Sequence, residues 1–401
     1  MATGSQAISS IANFLFVLSL LANLTPAAFG LYSIAFAVVL AGTAILQGFF
    51  QLQMVTNLPH LAEGRRHEFV SALFLAQLIA MLVVTIATIG FAGALPGKTD
   101  YLQLATASAL AILGLSGKEF LIRYLFAASQ ISLWIAALNI LAAATLAVLA
   151  MSGLPSRGPQ HAMLGYALAQ IAAMLLGLFV TRVCLRPKGC WDLLRAIATN
   201  GAWGAFSAVT YSLRSSAHTF IAGATLSLVD VGQMNAARTL LTPATLMIPT
   251  LSAVMLPRLS QVMAFGSRQG LGRLALRIVV ALSIMVVVYA GLLALAWPLL
   301  VKYLLGSGFI GLGPYVALWS AFALSIAVRN VAEWTLQAMQ LFQSLSLYNL
   351  LAAAVTLSAV TIMTLAWGVT GAISGLIIGE LFMIVLCTCF VFKRLAEQPD
   401  I

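Results

Sequence analysis

The sequence predicts an all-α polytopic membrane protein of about twelve transmembrane helices, arranged as two six-helix bundles related by pseudo-two-fold symmetry. Three observations lead there. The chain is 62% hydrophobic and only 7% charged, whereas soluble domains are about 25% charged. A spanning helix needs roughly 20 apolar residues, and such segments nearly exhaust the 401 residues. Short loops separate them, and the basic residues fall very unevenly among those loops.

In order, the segments run from about Ile8 to Leu24, Leu31 to Val55, Phe69 to Ala92, Tyr101 to Leu125, Ile131 to Met151 and His161 to Val183. The first two are joined by a turn over Thr25 to Gly30. A second set covers about Trp203–Leu226, Gly232–Leu256, Leu274–Ala296, Pro314–Ala338, Leu345–Trp367 and Gly371–Phe392. The predicted organisation is therefore a bundle over 1–183, a linker over 184–202 and a bundle over 203–401. The linker mixes Arg186, Lys188 and Arg195 with Trp191, Leu193, Leu194 and Ile197, which suits a helix lying along the cytoplasmic membrane surface.

Orientation follows from charge. Loops after even-numbered segments, with the C-terminal tail, hold fourteen Lys and Arg; loops after odd-numbered ones hold Lys98, Arg157 and Lys302. The positive-inside rule then places both termini in the cytoplasm. The net charge of +10 sits beside apolar segments, so anionic lipid headgroups are its expected partner and nucleic acid is not. No Lys or Arg precedes the first apolar run, so no cleavable signal is expected. Cys184, Cys190, Cys387 and Cys389 lie at cytoplasmic membrane ends and are expected as free thiols. Neither pair has zinc-site spacing with nearby histidines, and no metal or cofactor is expected.

The halves repeat weakly. Phe29-Gly30-Leu31-Tyr32 aligns with Val231-Gly232-Gln233-Met234, and His161-Ala162-Met163-Leu164-Gly165 with Gly371-Ala372-Ile373-Ser374-Gly375. An even number of segments per half gives both halves one orientation, as in transporters built from parallel repeats.

Ionisable residues inside such segments are costly and mark either internal pairs or a wet path. Arg214 lies about eleven residues into its segment, roughly 16 Å at helical rise. His218 follows four residues later on the same face. Arg214 either faces a lumen or pairs with Glu380 or Glu333. His218 is either a pH-sensitive or phosphate-contacting group or a satisfied interior histidine. Arg238 contacts cargo, snorkels outward or pairs with Asp230. Arg329 and Glu333, four apart, suit an ion pair. Glu380 is either an arginine's partner or an ion-coupling site. Asn13, Gln47, Gln51 and Gln53 bond either sugar hydroxyls or neighbouring helices. Pro243 and Pro249 predict a kink.

Several of these runs carry a resemblance. Pro26-Ala27-Ala28-Phe29-Gly30-Leu31-Tyr32, Ala236-Ala237-Arg238-Thr239-Leu240-Leu241-Thr242-Pro243, Met255-Leu256-Pro257-Arg258-Leu259-Ser260 and Trp367-Gly368-Val369-Thr370-Gly371-Ala372 resemble the Wzx-type polysaccharide flippases. These belong to the multidrug/oligosaccharidyl-lipid/polysaccharide (MOP) exporter superfamily. The resemblance implies two six-helix bundles around a cavity lined by the first, second, seventh and eighth helices. It implies a cargo of oligosaccharide on a polyprenyl diphosphate, flipped across a bacterial inner membrane for capsule, exopolysaccharide or O-antigen assembly. Arg214, His218 and Arg238 would then meet the diphosphate, since guanidinium groups grip such oxygens with paired hydrogen bonds. Glu380, Arg329, Glu333, Asn13, Gln47 and Gln51 would line the cavity or couple an ion. Membrane lipids and other polysaccharide-assembly proteins would be the partners.

Three rivals stay open, one of them a non-transporting membrane partner in a synthesis complex. A cation exporter of the same fold would want an acidic path, and its relatives usually carry an acid in the first span, where this chain has Asn13 and Asn23. A membrane-embedded polymerase would want a catalytic outer loop, and the outer loops here are short. No Gly-x-x-x-x-Gly-Lys-Ser/Thr loop occurs. The chain reads as a transporter without enzymatic activity.

Overall fold

The computed structural model describes residues 2–58, 61, 63–93, 98–127, 132–183, 191–265, 268–303, 305, 307–339 and 341–397. Among these the chain is helical, with no strand. The α-helices are α1 (Ala2–Asn23), α2 (Pro26–Leu46), α3 (Leu52–Asn57), α4 (Glu63–Gly93), α5 (Lys98–Ala127), α6 (Ser132–Met151) and α7 (Pro159–Thr181). They continue with α8 (Trp191–Thr225), α9 (Leu228–Leu240), α10 (Thr242–Phe265), α11 (Arg268–Tyr303), α12 (Gly313–Ala338) and α13 (Phe342–Glu397).

Eight helical stretches among the described residues are long and apolar enough to cross a bilayer, and Ile8–Asn23 is a shorter apolar helix. One of the eight, Gln343–Val391, holds both of the last two predicted segments. The predicted seventh and eighth segments are not among the eight. The seventh is diluted by Arg214, Ser215, Ser216, His218 and Thr219, and the eighth is divided into α9 and α10.

The chain forms two compact units, Met1–Ser212 and Leu213–Ile401. Residues 184–190, with Cys184, Arg186, Lys188 and Cys190, lie outside the described residues. From Trp191 the chain is one helix through to Thr225. No proline interrupts Trp191–Trp203, so the expected interfacial segment and the seventh span form a single α8. Cys387 is buried and Cys389 exposed, both as free thiols.

In the first unit α5 packs on α7, α4 and α2, and α1 lies against α6. Phe16, Phe29, Tyr32, Phe69, Phe74 and Phe120 fill its interior. In the second, α12 is the hub, touching α10, α11 and α13. Ile248, Ile278, Leu282, Ala327 and Val331 form the α10–α11–α12 core, while Leu336, Ala352 and Met383 join α12 to α13. Outward, α11 leaves Ile284, Val288, Leu292, Leu295 and Leu299 exposed. Steps of three and four make this one continuous apolar stripe, which suits lipid and not water.

Local chemistry fixes the breaks. α2 begins at Pro26, inside the turn predicted over Thr25 to Gly30 and before the expected start at Leu31, because Thr25 caps it by accepting from Ala28 N at 3.3 Å and Pro26 occupies the first turn. Gln47–Gln51 winds as a π-helix, a local form frequent at functional positions. α9 opens with a capping box: Ser227 Oγ accepts from Asp230 N at 3.2 Å, and Ser227 N donates to Asp230 Oδ2 at 3.3 Å. The predicted proline kink is a full break at Leu241, with Pro243 in the first turn of a new helix. A residue before proline resists the helical conformation, and α10 starts there. Pro249 lies inside α10, which continues through it.

α13 is a hairpin. Trp367 (φ −131°, ψ 15°) and Gly368 (φ 59°, ψ −134°) leave the helical region, and the second of these conformations is open essentially to glycine alone. The arms then run antiparallel with glycine at the seam: Gly371 faces Met363, Gly375 faces Val360 and Gly379 faces Thr356. A Cβ on Gly375 would lie 2.6 Å from Val360 Cα, so the backbones meet directly.

Gly375→Leu should therefore wedge the arms apart and cost about 1–3 kcal/mol or more, seen as a lower thermal midpoint of the purified protein in detergent. An unchanged midpoint would show that the seam is not close-packed.

Candidate functional site: a buried ionic network in the second unit

α8 carries Arg214 and His218 on one face, and each enters a different polar cluster of the second unit. Arg214 is 6% exposed. Its Nη1 donates to Asn349 Oδ1 at 2.8 Å, on the first arm of α13. Its Nη2 lies 3.7 Å from Glu380 Oε1, on the second arm. Glu380 Oε2 also accepts from Arg329 Nε of α12, and Arg329 Nη1 donates to Glu333 Oε1 at 2.6 Å. The i,i+4 pair read from Arg329 and Glu333 is thus one edge of a larger network. It contains two guanidiniums, two carboxylates and one amide, and the charges within it cancel. Cancellation matters because an unpaired ion in such surroundings is penalised by several kcal/mol.

The second cluster begins one helical turn on. His218 is fully buried, and its Nε2 lies 3.2 Å from Arg238 Nη1 of α9. A guanidinium only donates, so the lone pair belongs to Nε2 and the ring proton to Nδ1. Nδ1 meets no hydrogen-bond partner among the described residues. Thr219 Oγ1 lies 3.1 Å from His218 Nε2 and 3.2 Å from Asn235 Oδ1. The Arg238 guanidinium carbon sits 5.5 Å from the centroid of the Trp319 ring, a cation–π placement. The same indole meets His218 edge-on at 5.1 Å and is anchored by its own N–H to Met234 O at 3.0 Å. Arg238 is half-buried.

The amide candidates lie in the first unit. Gln51 Nε2 donates to Ser116 O at 3.0 Å, and Gln77 Nε2 reaches the same carbonyl at 3.1 Å. Both side-chain oxygens, and Asn13 Oδ1, are buried without a partner among the described residues. Gln47 Oε1 accepts from Arg123 Nη2 at 3.5 Å. Gln53 is buried beside the π-helix.

Asn349, Asn235, Thr219 and Trp319 complete these clusters and went unremarked in the sequence. Asn349 had a legible signal, being an amide early in an otherwise apolar segment. Trp319 had none, since an aromatic in a spanning helix is ordinarily core or interface.

A helical protein with a lipid-facing apolar stripe and buried ions that pair with one another is an integral membrane protein. Residues 1–263 match the family model described as polysaccharide biosynthesis protein, and the chain belongs to that family. Its fold is the MOP fold. It is similar to an inward-facing multidrug resistance MATE family transporter of the MOP superfamily (TM-score 0.71, 15% identity, 99% of this chain and 98% of that one). It is also similar to the lipid II flippase MurJ in an inward closed conformation (TM-score 0.78, 10% identity, 98% and 87%). A MOP superfamily transporter from Pyrococcus furiosus, described as having a binding pocket of reversed polarity, aligns with TM-score 0.63 at 13% identity over 98% and 93% of the chains. No curated protein matches the sequence.

Arg329→Ala would strip both Glu333 and Glu380 of their shared guanidinium. A loss of about 3–5 kcal/mol is expected, read as a large fall in thermal midpoint. A shift under about 1 kcal/mol would mean that water already solvates the network.

Proposed function

We propose that this protein is a flippase that moves polyprenyl-diphosphate-linked oligosaccharide from the inner to the outer leaflet of a bacterial inner membrane. It acts by alternating access, with both termini in the cytoplasm, and serves capsule, exopolysaccharide or O-antigen assembly. The observation that carries the reading is the row of Arg214, His218 and Arg238. α8 presents a guanidinium and, one turn later, an imidazole that accepts from the guanidinium of α9. Anionic diphosphate oxygens match guanidinium groups by charge and by paired hydrogen bonds. The isoprenoid tail stays in lipid while the headgroup follows the row. Family membership and the fold shared with a lipid II flippase support a lipid-linked cargo. The chain breaks no covalent bond and works beside the enzymes that build and polymerise the repeat unit.

A cation exporter of the same fold would need an open carboxylate. Glu333 and Glu380 are both bonded to Arg329. The anionic cargo is the better match.

Mass spectrometry of polyprenyl-linked oligosaccharides tests the reading. Cells lacking the protein should accumulate complete repeat units, and wild-type complementation should clear them. Arg238→Ala should slow clearance roughly 10–100-fold, the loss of a charge-assisted contact of about 1.5–3 kcal/mol. Normal levels in the deletion would refute the cargo. Accumulation in the deletion with full activity of both Arg214→Ala and Arg238→Ala would keep the cargo and reject the row.

A further inference from the structure

Glu380 is shared unequally. It bonds Arg329 closely through Oε2, while its Oε1 stands 3.7 Å from Arg214 Nη2. The looser contact can open with each group keeping one hydrogen-bond partner. Glu380 would keep Arg329, and Arg214 would keep Asn349 Oδ1 at 2.8 Å. A buried charge that loses its counter-ion is penalised unless another anion takes the place, and the cargo's diphosphate would be that anion. The Arg214–Glu380 edge is thus the one place in the network where a counter-ion can be exchanged at small cost. Its geometry is also fixed from outside. Asn349 and Glu380 sit on opposite arms of α13, and the glycine seam ending at Gly379 sets their separation.

We infer that Glu380 is a built-in competitor for the cargo's diphosphate, holding the anion position on Arg214 when the protein is empty and yielding it when cargo arrives. This rests on the reading that the cargo presents a diphosphate to Arg214. Glu380 thereby sets how tightly the headgroup is held. On arrival the carboxylate withdraws toward Arg329; on departure it returns to Arg214 and displaces the headgroup. A transporter needs that return, because a diphosphate held by an arginine with no competing anion would leave slowly.

Two nearly isosteric substitutions shift the competition in opposite directions. Glu380→Gln removes the competing charge and keeps an amide in its place. Asn349→Asp adds a second carboxylate against the Arg214 guanidinium. The full-length protein in lipid nanodiscs is titrated calorimetrically with farnesyl diphosphate. Relative to wild type, Glu380→Gln should bind about tenfold more tightly and Asn349→Asp about tenfold more weakly, as close charge pairs in a desolvated site allow. If both variants weaken binding, Glu380 is a structural brace and the proposal fails. If wild type binds and Glu380→Gln binds no better, the competition is absent while the flippase reading stands. If neither wild type nor Glu380→Gln binds the probe, both fall. Should Glu380→Gln prove unstable, Asn349→Asp decides alone, since it leaves Arg214 better neutralised; unchanged affinity there overturns the proposal.

Discussion

The cost of placing ionised groups away from water is the constraint on which the second unit depends. Arg214, Arg329, Glu333 and Glu380 are mostly shielded from solvent, in a unit whose outer surface is apolar. None could stay charged there alone. Their mutual pairing ties α8, α12 and both arms of α13 to one another. Hydrophobic packing alone does not specify such a register, because lipid is as apolar as leucine and small shifts between helices leave it nearly unchanged. Directional bonds among named groups supply it.

The hairpin of α13 and the network are two parts of one device. The corner at Trp367 and Gly368 turns the chain back, and the glycines beyond it let the arms touch. That contact places an amide from one arm and a carboxylate from the other on a single guanidinium. The His218 cluster works differently. There Arg238 lies against an indole face and an imidazole lone pair. Arg214 of α8 is thus met by a carboxylate and an amide, and Arg238 of α9 reaches the same helix through His218.

How much of this was legible in the sequence differs by feature. Membrane class, helical content and the segments themselves follow from apolar run lengths, and each predicted segment falls on helix. The pair Arg329–Glu333 follows from spacing on one helix. Arg214 was legible as an anomaly, but its partner was not. Asn349 lies 135 residues away, and no local pattern encodes a contact at that range. The proline-rich eighth segment reads as a kink because proline bends continuous helices. Here Leu241 and Thr242 precede Pro243, so the chain ends one helix and caps another. The junction at 184–202 reads as a separate surface helix because it is basic and amphipathic. No proline lies between Trp191 and Trp203, and so from Trp191 onward the helix continues into the next predicted segment. The buried oxygens of Gln51 and Gln77 were visible only as glutamines in an apolar run.

The ion pairs also impose an order on biogenesis. Synthesis delivers α8 long before α12 and α13, yet Arg214 finds its amide partner only on a segment 135 residues further along. Until those later helices emerge, α8 is a poor membrane segment, too polar to count among the apolar spans. An arginine without its partners is costly in lipid until then. Stable partition of this helix into lipid is thus an act of the finished chain, completed from its C-terminal end.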